Sequence, residues 1–127
     1  MKFVHTCYRV KDLEASLKFY QDAFGFEEKR RSDFPDHQFT LVYLTLPGDT
    51  NELELTYNYD HPGYEIGTGY GHIAVTTPDL EALHLKHQAA GYEVTKLMGL
   101  PGRDPGYYFV LDPDGYKVEV IREKLMG

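Results

Sequence analysis

His5-Thr6-Cys7-Tyr8-Arg9-Val10-Lys11-Asp12-Leu13-Glu14-Ala15 returns later in the chain as His72-Ile73-Ala74-Val75-Thr76-Thr77-Pro78-Asp79-Leu80-Glu81-Ala82. Both stretches open on a histidine and reach Asp-Leu-Glu-Ala at the same spacing, so the fold is read as two copies of one unit. After each comes helical spacing: Leu13, Leu17, Tyr20 and Phe24 in the first copy, Leu80, Leu83 and His87 in the second. Thr77 and Pro78 suit a cap and a first helical position, and Gly25 and Gly91 stand where left-handed stops are expected. Beyond each helix the apolar period falls from about 3.6 to about 2. The alternating segments are Phe39–Leu46 and Leu53–Tyr57, then Tyr107–Leu111 and Tyr116–Arg122. Pro47-Gly48-Asp49-Thr50 and Asp112-Pro113-Asp114-Gly115 supply turns. Each half therefore reads strand, helix, three strands, which predicts an α+β fold of two βαβββ modules. They cover about residues 1–60 and 68–127 of one domain spanning 1–127, with Asn58 to Gly69 connecting them. A half of this size buries little by itself, so the sheets, open or closed, with helices on the outer face, must find partners within the chain or across a dimer.

Composition removes several function classes. Among 127 residues, 42% are hydrophobic and 26% charged, which excludes a disordered or fibrous chain. No apolar run is long enough to span a membrane. The N-terminus lacks the basic-then-apolar layout of a secretion signal, and Cys7 stands alone, so a cytoplasmic chain without an intrachain disulfide is expected. A net charge of -7 repels phosphate backbones, and the basic cluster Lys29-Arg30-Arg31 follows Glu27 and Glu28. Nucleic acid is excluded as a partner, and the cluster reads as the solvated outer face of an edge strand.

The repeat also duplicates chemistry. Glu54 in Leu53-Glu54-Leu55 and Glu119 in Val118-Glu119-Val120 occupy the same place in the last strand of each half, so His5 and Glu54 are echoed by His72 and Glu119. Residues two apart share a strand face. Hence His5, Cys7 and Arg9 project together, as do Glu54, Thr56 and Asn58, while Leu53, Leu55, Val118 and Val120 point to the helices. Carboxylates flanked by apolar residues are costly unless paired, and a shared divalent cation accounts for both. Two nitrogens and two oxygens suit nickel, cobalt or zinc, and an octahedral ion keeps two positions for water or substrate. Other groups fit blander roles. Gly67-Thr68-Gly69-Tyr70-Gly71 precedes a strand, not the helix a phosphate loop needs. His84 and His87 suit the surface or helix packing, and nothing arguable activates Cys7 as a nucleophile.

Phe3-Val4-His5-Thr6 with Arg9-Val10, Glu54-Leu55-Thr56-Tyr57-Asn58, Tyr70-Gly71-His72-Ile73-Ala74 and Asp112-Pro113-Asp114-Gly115-Tyr116-Lys117-Val118-Glu119 together resemble the signature segments of the lactoylglutathione lyase (glyoxalase I) family, in the vicinal oxygen chelate superfamily. The resemblance covers nearly the whole chain. It implies His5, Glu54, His72 and Glu119 as metal ligands, with Arg9 and Asn58 at the glutathione moiety and Arg103 standing in for a basic residue of the family's substrate loop. It implies isomerisation of the methylglyoxal-glutathione hemithioacetal to S-lactoylglutathione through an enediolate. A Lewis-acidic metal would stabilise it, with Glu119 as base and Glu54 as ligand or second base. The short length resembles the nickel- and cobalt-activated class more than the zinc class. The resemblance also implies a homodimer with interface active sites, each built from His5 and Glu54 of one chain and His72 and Glu119 of the other. Two related readings compete: a methylmalonyl-CoA epimerase, which would carry glutamine where Glu54 stands, and a metal-free, bleomycin-resistance-like binding protein that sequesters a drug.

Overall fold

Both copies of Asp-Leu-Glu-Ala start a helix by the same device. In the computed structural model, which describes residues 1–125, the Asp12 carboxylate accepts the Ala15 N–H at 3.1 Å and opens α1, Leu13–Phe24. Asp79 accepts the Ala82 N–H at 3.1 Å and opens α2, Leu80–Ala89. The cap expected at Thr77 and Pro78 therefore lies two residues further on. Asp79 has the oxygen that reaches an orphan helical N–H, while Thr77 Oγ1 receives only the Asp79 N–H, at 3.4 Å. Gly25 closes α1 at φ 81°, and Gly91 follows α2 at φ 83°.

The buried helix faces are turned slightly from the expected stripes. α1 buries Leu13, Ser16, Phe19, Tyr20 and Ala23, leaving Leu17 and Phe24 half-buried. Small Ser16 and Ala23 can lie close to a sheet while Phe19 and Tyr20 pack edge to face, centroids 5.1 Å apart. α2 buries Leu80, His84 and His87, with Leu83 only half-buried.

The first compact unit, Met1–Glu65, holds a sheet of β1 (His5–Val10), β2 (Glu27–Phe34), β3 (Phe39–Thr45) and β4 (Glu52–Asn58) in the order β1-β4-β3-β2. β1 runs parallel to β4, and the other pairs are antiparallel. Tyr8, Val10, Val42, Leu44, Leu53 and Leu55 are buried on its apolar face. The second unit, from Ile66 onward, holds β5 (Ile73–Thr77), β6 (Tyr107–Leu111) and β7 (Lys117–Arg122) in the order β5-β7-β6, with β5 parallel to β7. Val110, Val118, Val120 and Leu80 form its core, each such burial being worth about 1.5–3 kcal/mol. Both sheets are open.

The second module lacks one of its three expected later strands. Between α2 and β6 the chain makes isolated bridges, Val94 to Val110 and Met98 to Tyr107. Thr95 explains the break: its hydroxyl takes the Phe109 N–H at 3.0 Å, and its carbonyl is engaged by His84 Nε2 at 2.8 Å. A side chain thus stands in for the ladder at one point, and a helix claims the carbonyl that would continue it.

His84 and His87 are packing residues. Burial raises the Tyr108 phenol far above its ordinary range, and its hydroxyl is hydrogen-bonded with His87 Nδ1 at 2.8 Å. Tyr108 and His87 are both fully buried. Tyr108→Phe, which removes one oxygen from this pair, is expected to cost about 1–3 kcal/mol. Urea unfolding tests it, and a transition midpoint equal to that of the parent would refute the role.

Candidate metal and substrate site

The parallel pairing of β1 with β4 places His5 opposite Glu52 and Cys7 opposite Glu54. From there the His5 ring reaches diagonally, bringing Nε2 within 3.1 Å of Glu54 Oε2. Thr56 Oγ1 donates to Glu54 Oε1 at 2.9 Å, and Cys7 Sγ lies 3.2 Å from Thr56 Oγ1. Burial, the largest influence, raises the Cys7 thiol; the Thr56 contact lowers it in part, and the smaller influence of Glu54 raises it again. Cys7 is therefore a protonated thiol, not an activated nucleophile. On β3, Tyr43 stands opposite Glu54 and presents its ring to His5 in a T-shaped contact at 5.7 Å.

The second unit repeats the central pair. His72 Nε2 lies 2.9 Å from Glu119 Oε1, and the His72 ring meets Phe109 edge to face at 5.0 Å. The histidine side chains are 35% and 37% exposed and the carboxylates 12% and 19%, so each pair is seated in its sheet yet open to a ligand. A cavity of about 460 Å³ opens beside His72, with Tyr70, Phe109, Tyr116, Lys117 and the Gly67–Gly71 loop in its wall. That loop precedes a strand and closes on no helix start.

The donor chemistry fits a divalent cation: each unit offers one imidazole nitrogen beside one carboxylate oxygen on the polar face of its sheet. Among the described residues no group of three or more potential ligands gathers, so each unit carries half of the four-residue set.

The other candidates are placed as follows. Arg9 lies exposed on the face that carries His5 and Cys7, opposite Thr56. Asn58 ends β4, and its Nδ2 donates to the Tyr64 hydroxyl at 2.9 Å. Arg103 is exposed in a turn closed by its own N–H on the Leu100 carbonyl at 2.9 Å. Lys29-Arg30-Arg31 is on the exposed edge strand as expected, with one departure. The register shifts between Glu28 and Arg30, and both Lys29 and Arg30 reach Glu52, at 3.4 Å and 3.0 Å. Arg30 also stacks over the Tyr43 ring at 3.9 Å, and its hydrogen bonds hold Glu52 below the usual carboxylate range. Tyr43 is the site residue that sequence reasoning passed over. The signal was present, because Phe39, Leu41 and Tyr43 share one face of a period-two strand.

A family model of the Glyoxalase/Bleomycin resistance protein/Dioxygenase superfamily matches residues 2–120. The chain is 42% identical over 127 residues to a lactoylglutathione lyase of Haemophilus influenzae, covering 98% of this chain and 94% of that protein. It is 38% identical over 130 residues to one of Escherichia coli O157:H7, covering 100% and 96%. Among solved structures, a Leishmania major glyoxalase I described as trypanothione-dependent superposes with a TM-score of 0.87 at 35% identity, over 99% of this chain and 89% of that one.

Proposed function

The chain belongs to the Glyoxalase/Bleomycin resistance protein/Dioxygenase superfamily, and from that membership we propose that it is a lactoylglutathione lyase. In this reading it isomerises the hemithioacetal of methylglyoxal and glutathione to S-lactoylglutathione and so detoxifies the aldehyde. The observation that carries the reading onto this chain's own residues is the duplicated His–Glu pair, in one register in two repeats.

His5, Glu54, His72 and Glu119 would hold one divalent cation between them. When bound, the ion supplies Lewis acidity to the two vicinal oxygens of the substrate. Glu119 takes the proton from the carbon that bears sulfur and returns it to the neighbouring carbonyl carbon while the hydroxyl proton passes to the former carbonyl oxygen, which turns the hemithioacetal into a hydroxy thioester with no net redox change. Glu54 serves as ligand or second base. Arg9 pairs with a glutathione carboxylate, offsetting the repulsion that a chain of charge -7 exerts on an anion. Asn58, its Nδ2 already engaged by Tyr64, presents Oδ1 to a substrate N–H, and Arg103 is the candidate for a second carboxylate. The active form is a homodimer, each chain one domain of two repeats. The lone cysteine and a glutathione-derived substrate support a cytosolic setting.

The ion assigned is nickel or cobalt in preference to zinc. An octahedral ion keeps two exchangeable positions beside four protein donors, whereas zinc favours fewer ligands. Chelator-stripped protein is reloaded with each ion and thioester formation is followed. Turnover is expected to be higher with nickel or cobalt. No thioester with any ion would end the assignment of the reaction, and faster turnover with zinc would end that of the metal.

Arg9→Ala is expected to raise the KM by about tenfold or more, in keeping with roughly 1.5–3 kcal/mol for a hydrogen bond to a charged group, while kcat changes little. A KM equal to that of the parent would remove Arg9 from the substrate contact.

A further inference from the structure

The two His–Glu pairs stand in the same register, yet their surroundings differ. Across each sheet the carboxylate is the middle member of a row of three: Tyr43, Glu54 and Cys7 in the first unit, Phe109, Glu119 and Ala74 in the second. Two residues further along the same strands come Thr56 and Ile121. The phenol, hydroxyl and thiol of the first unit thus have no counterparts in the second.

These groups line up beside Glu54. Thr56 Oγ1 gives its hydrogen to Glu54 Oε1 at 2.9 Å, and at its 3.2 Å contact with Cys7 it can then only accept, so the thiol is the donor there. Tyr43 stands opposite Glu54 across the β3–β4 pair, where burial first and then the neighbouring Glu54 raise its phenol. The Tyr43 ring is itself held, stacked under Arg30 at 3.9 Å, with Arg30 anchored on Glu52 and the His5 ring abutting it. Around Glu119 the picture is bare. Among the described residues its hydrogen-bonding partner is His72, while Phe109, Ile121 and Ala74 have no hydrogen to give it. Each carboxylate meets its histidine, but Glu54 also accepts the Thr56 hydroxyl, a charge-assisted bond it must break before it can swing, and Glu119 lacks that second restraint.

We infer that Thr56, through its hydrogen bond, and Tyr43, opposite on the neighbouring strand and against the His5 ring, are positioning residues that hold Glu54 as a stationary ligand. The hydroxyl-free neighbourhood of Glu119 is what lets that carboxylate turn and carry the proton. This rests on the proposed function, which assigns Glu54 and Glu119 to the ion.

The test uses Tyr43→Phe and Thr56→Val, singly and together, Thr56→Ser as the conservative control, and Phe109→Tyr. Each is purified as the full chain and its fold checked by circular dichroism. Apo-protein is titrated with cobalt(II) against a competing chelator, and kcat and KM are measured on the hemithioacetal. Tyr43→Phe with Thr56→Val is expected to bind cobalt about 10–100-fold more weakly, with Thr56→Ser close to the parent. Phe109→Tyr, which sets a new hydroxyl opposite Glu119, is expected to keep the ion and lose at least about tenfold in kcat at unchanged KM. Should the double variant fail to fold, the single variants decide, each expected to weaken binding by about threefold or more.

Cobalt affinity of the removal variants equal to that of the parent, or undiminished turnover by Phe109→Tyr, would overturn the inference. A parent that binds cobalt but forms no thioester ends the reading of the reaction, and the titrations still decide the fastening of Glu54. A parent that binds no divalent ion overturns both.

Discussion

Glu119→Gln is expected to lower kcat by about three orders of magnitude while leaving the fold intact, within the range typical of removing a general base. The amide is close to isosteric with the carboxylate but accepts no proton at neutral pH and is a poorer ligand. Packing should not suffer, because β7 buries Val118 and Val120 on its other face and Glu119 contributes no core contact. Thermal unfolding should therefore match the parent within a few degrees, as for a surface change of under about 0.5 kcal/mol. Rapid thioester formation within about tenfold of the parent would remove Glu119 from the role of base.

The second large effect concerns assembly. His5→Ala and Glu119→Gln are each expected to be nearly inactive alone, yet mixing them with subunit exchange should restore activity. If a site takes His5 and Glu54 from one chain and His72 and Glu119 from the other, a heterodimer gathers both lesions in one site and leaves its twin whole. Recovery should approach half the parent activity per heterodimer. The native masses of parent and mixture are read by sedimentation. A monomeric parent, or no recovery where heterodimers are demonstrated, would exclude sites shared between chains.

Much of this was legible in the sequence, and the misses share physical causes. The repeat was readable because a strand–helix start is local: histidine, two-residue alternation and Asp-Leu-Glu-Ala need no distant partner. The His–Glu pairs followed from the strand period, and both are found in contact. The cap was misplaced because Thr-Pro and Asp are both good starters, and only the chain path decides whose oxygen meets the free N–H. The helix stripes were turned because Ser16 and Ala23 are buried by virtue of being small, which a hydrophobic pattern does not register. The lost strand before β6 depended on His84, eleven residues away, taking the Thr95 carbonyl. The reach of Lys29 and Arg30 to Glu52 depended on a register shift that alternation conceals. What local rules missed was set by partners remote in sequence.

The parallel pairing of β1 with β4 also bears on how the molecule is made. β1 finds its neighbour only across α1, β2 and β3, so loop closure must precede any reward from that pairing, which makes it the slow step of the half. All strand pairs of the first sheet nevertheless lie between His5 and Asn58, and those of the second between Ile73 and Arg122. During synthesis the leading half can complete its hydrogen-bonded ladder as soon as Asn58 has left the ribosome, while residues of the trailing half are still being added. The duplication thereby divides a slow, long-range topology into two short searches run in succession, each limited to about half of the chain.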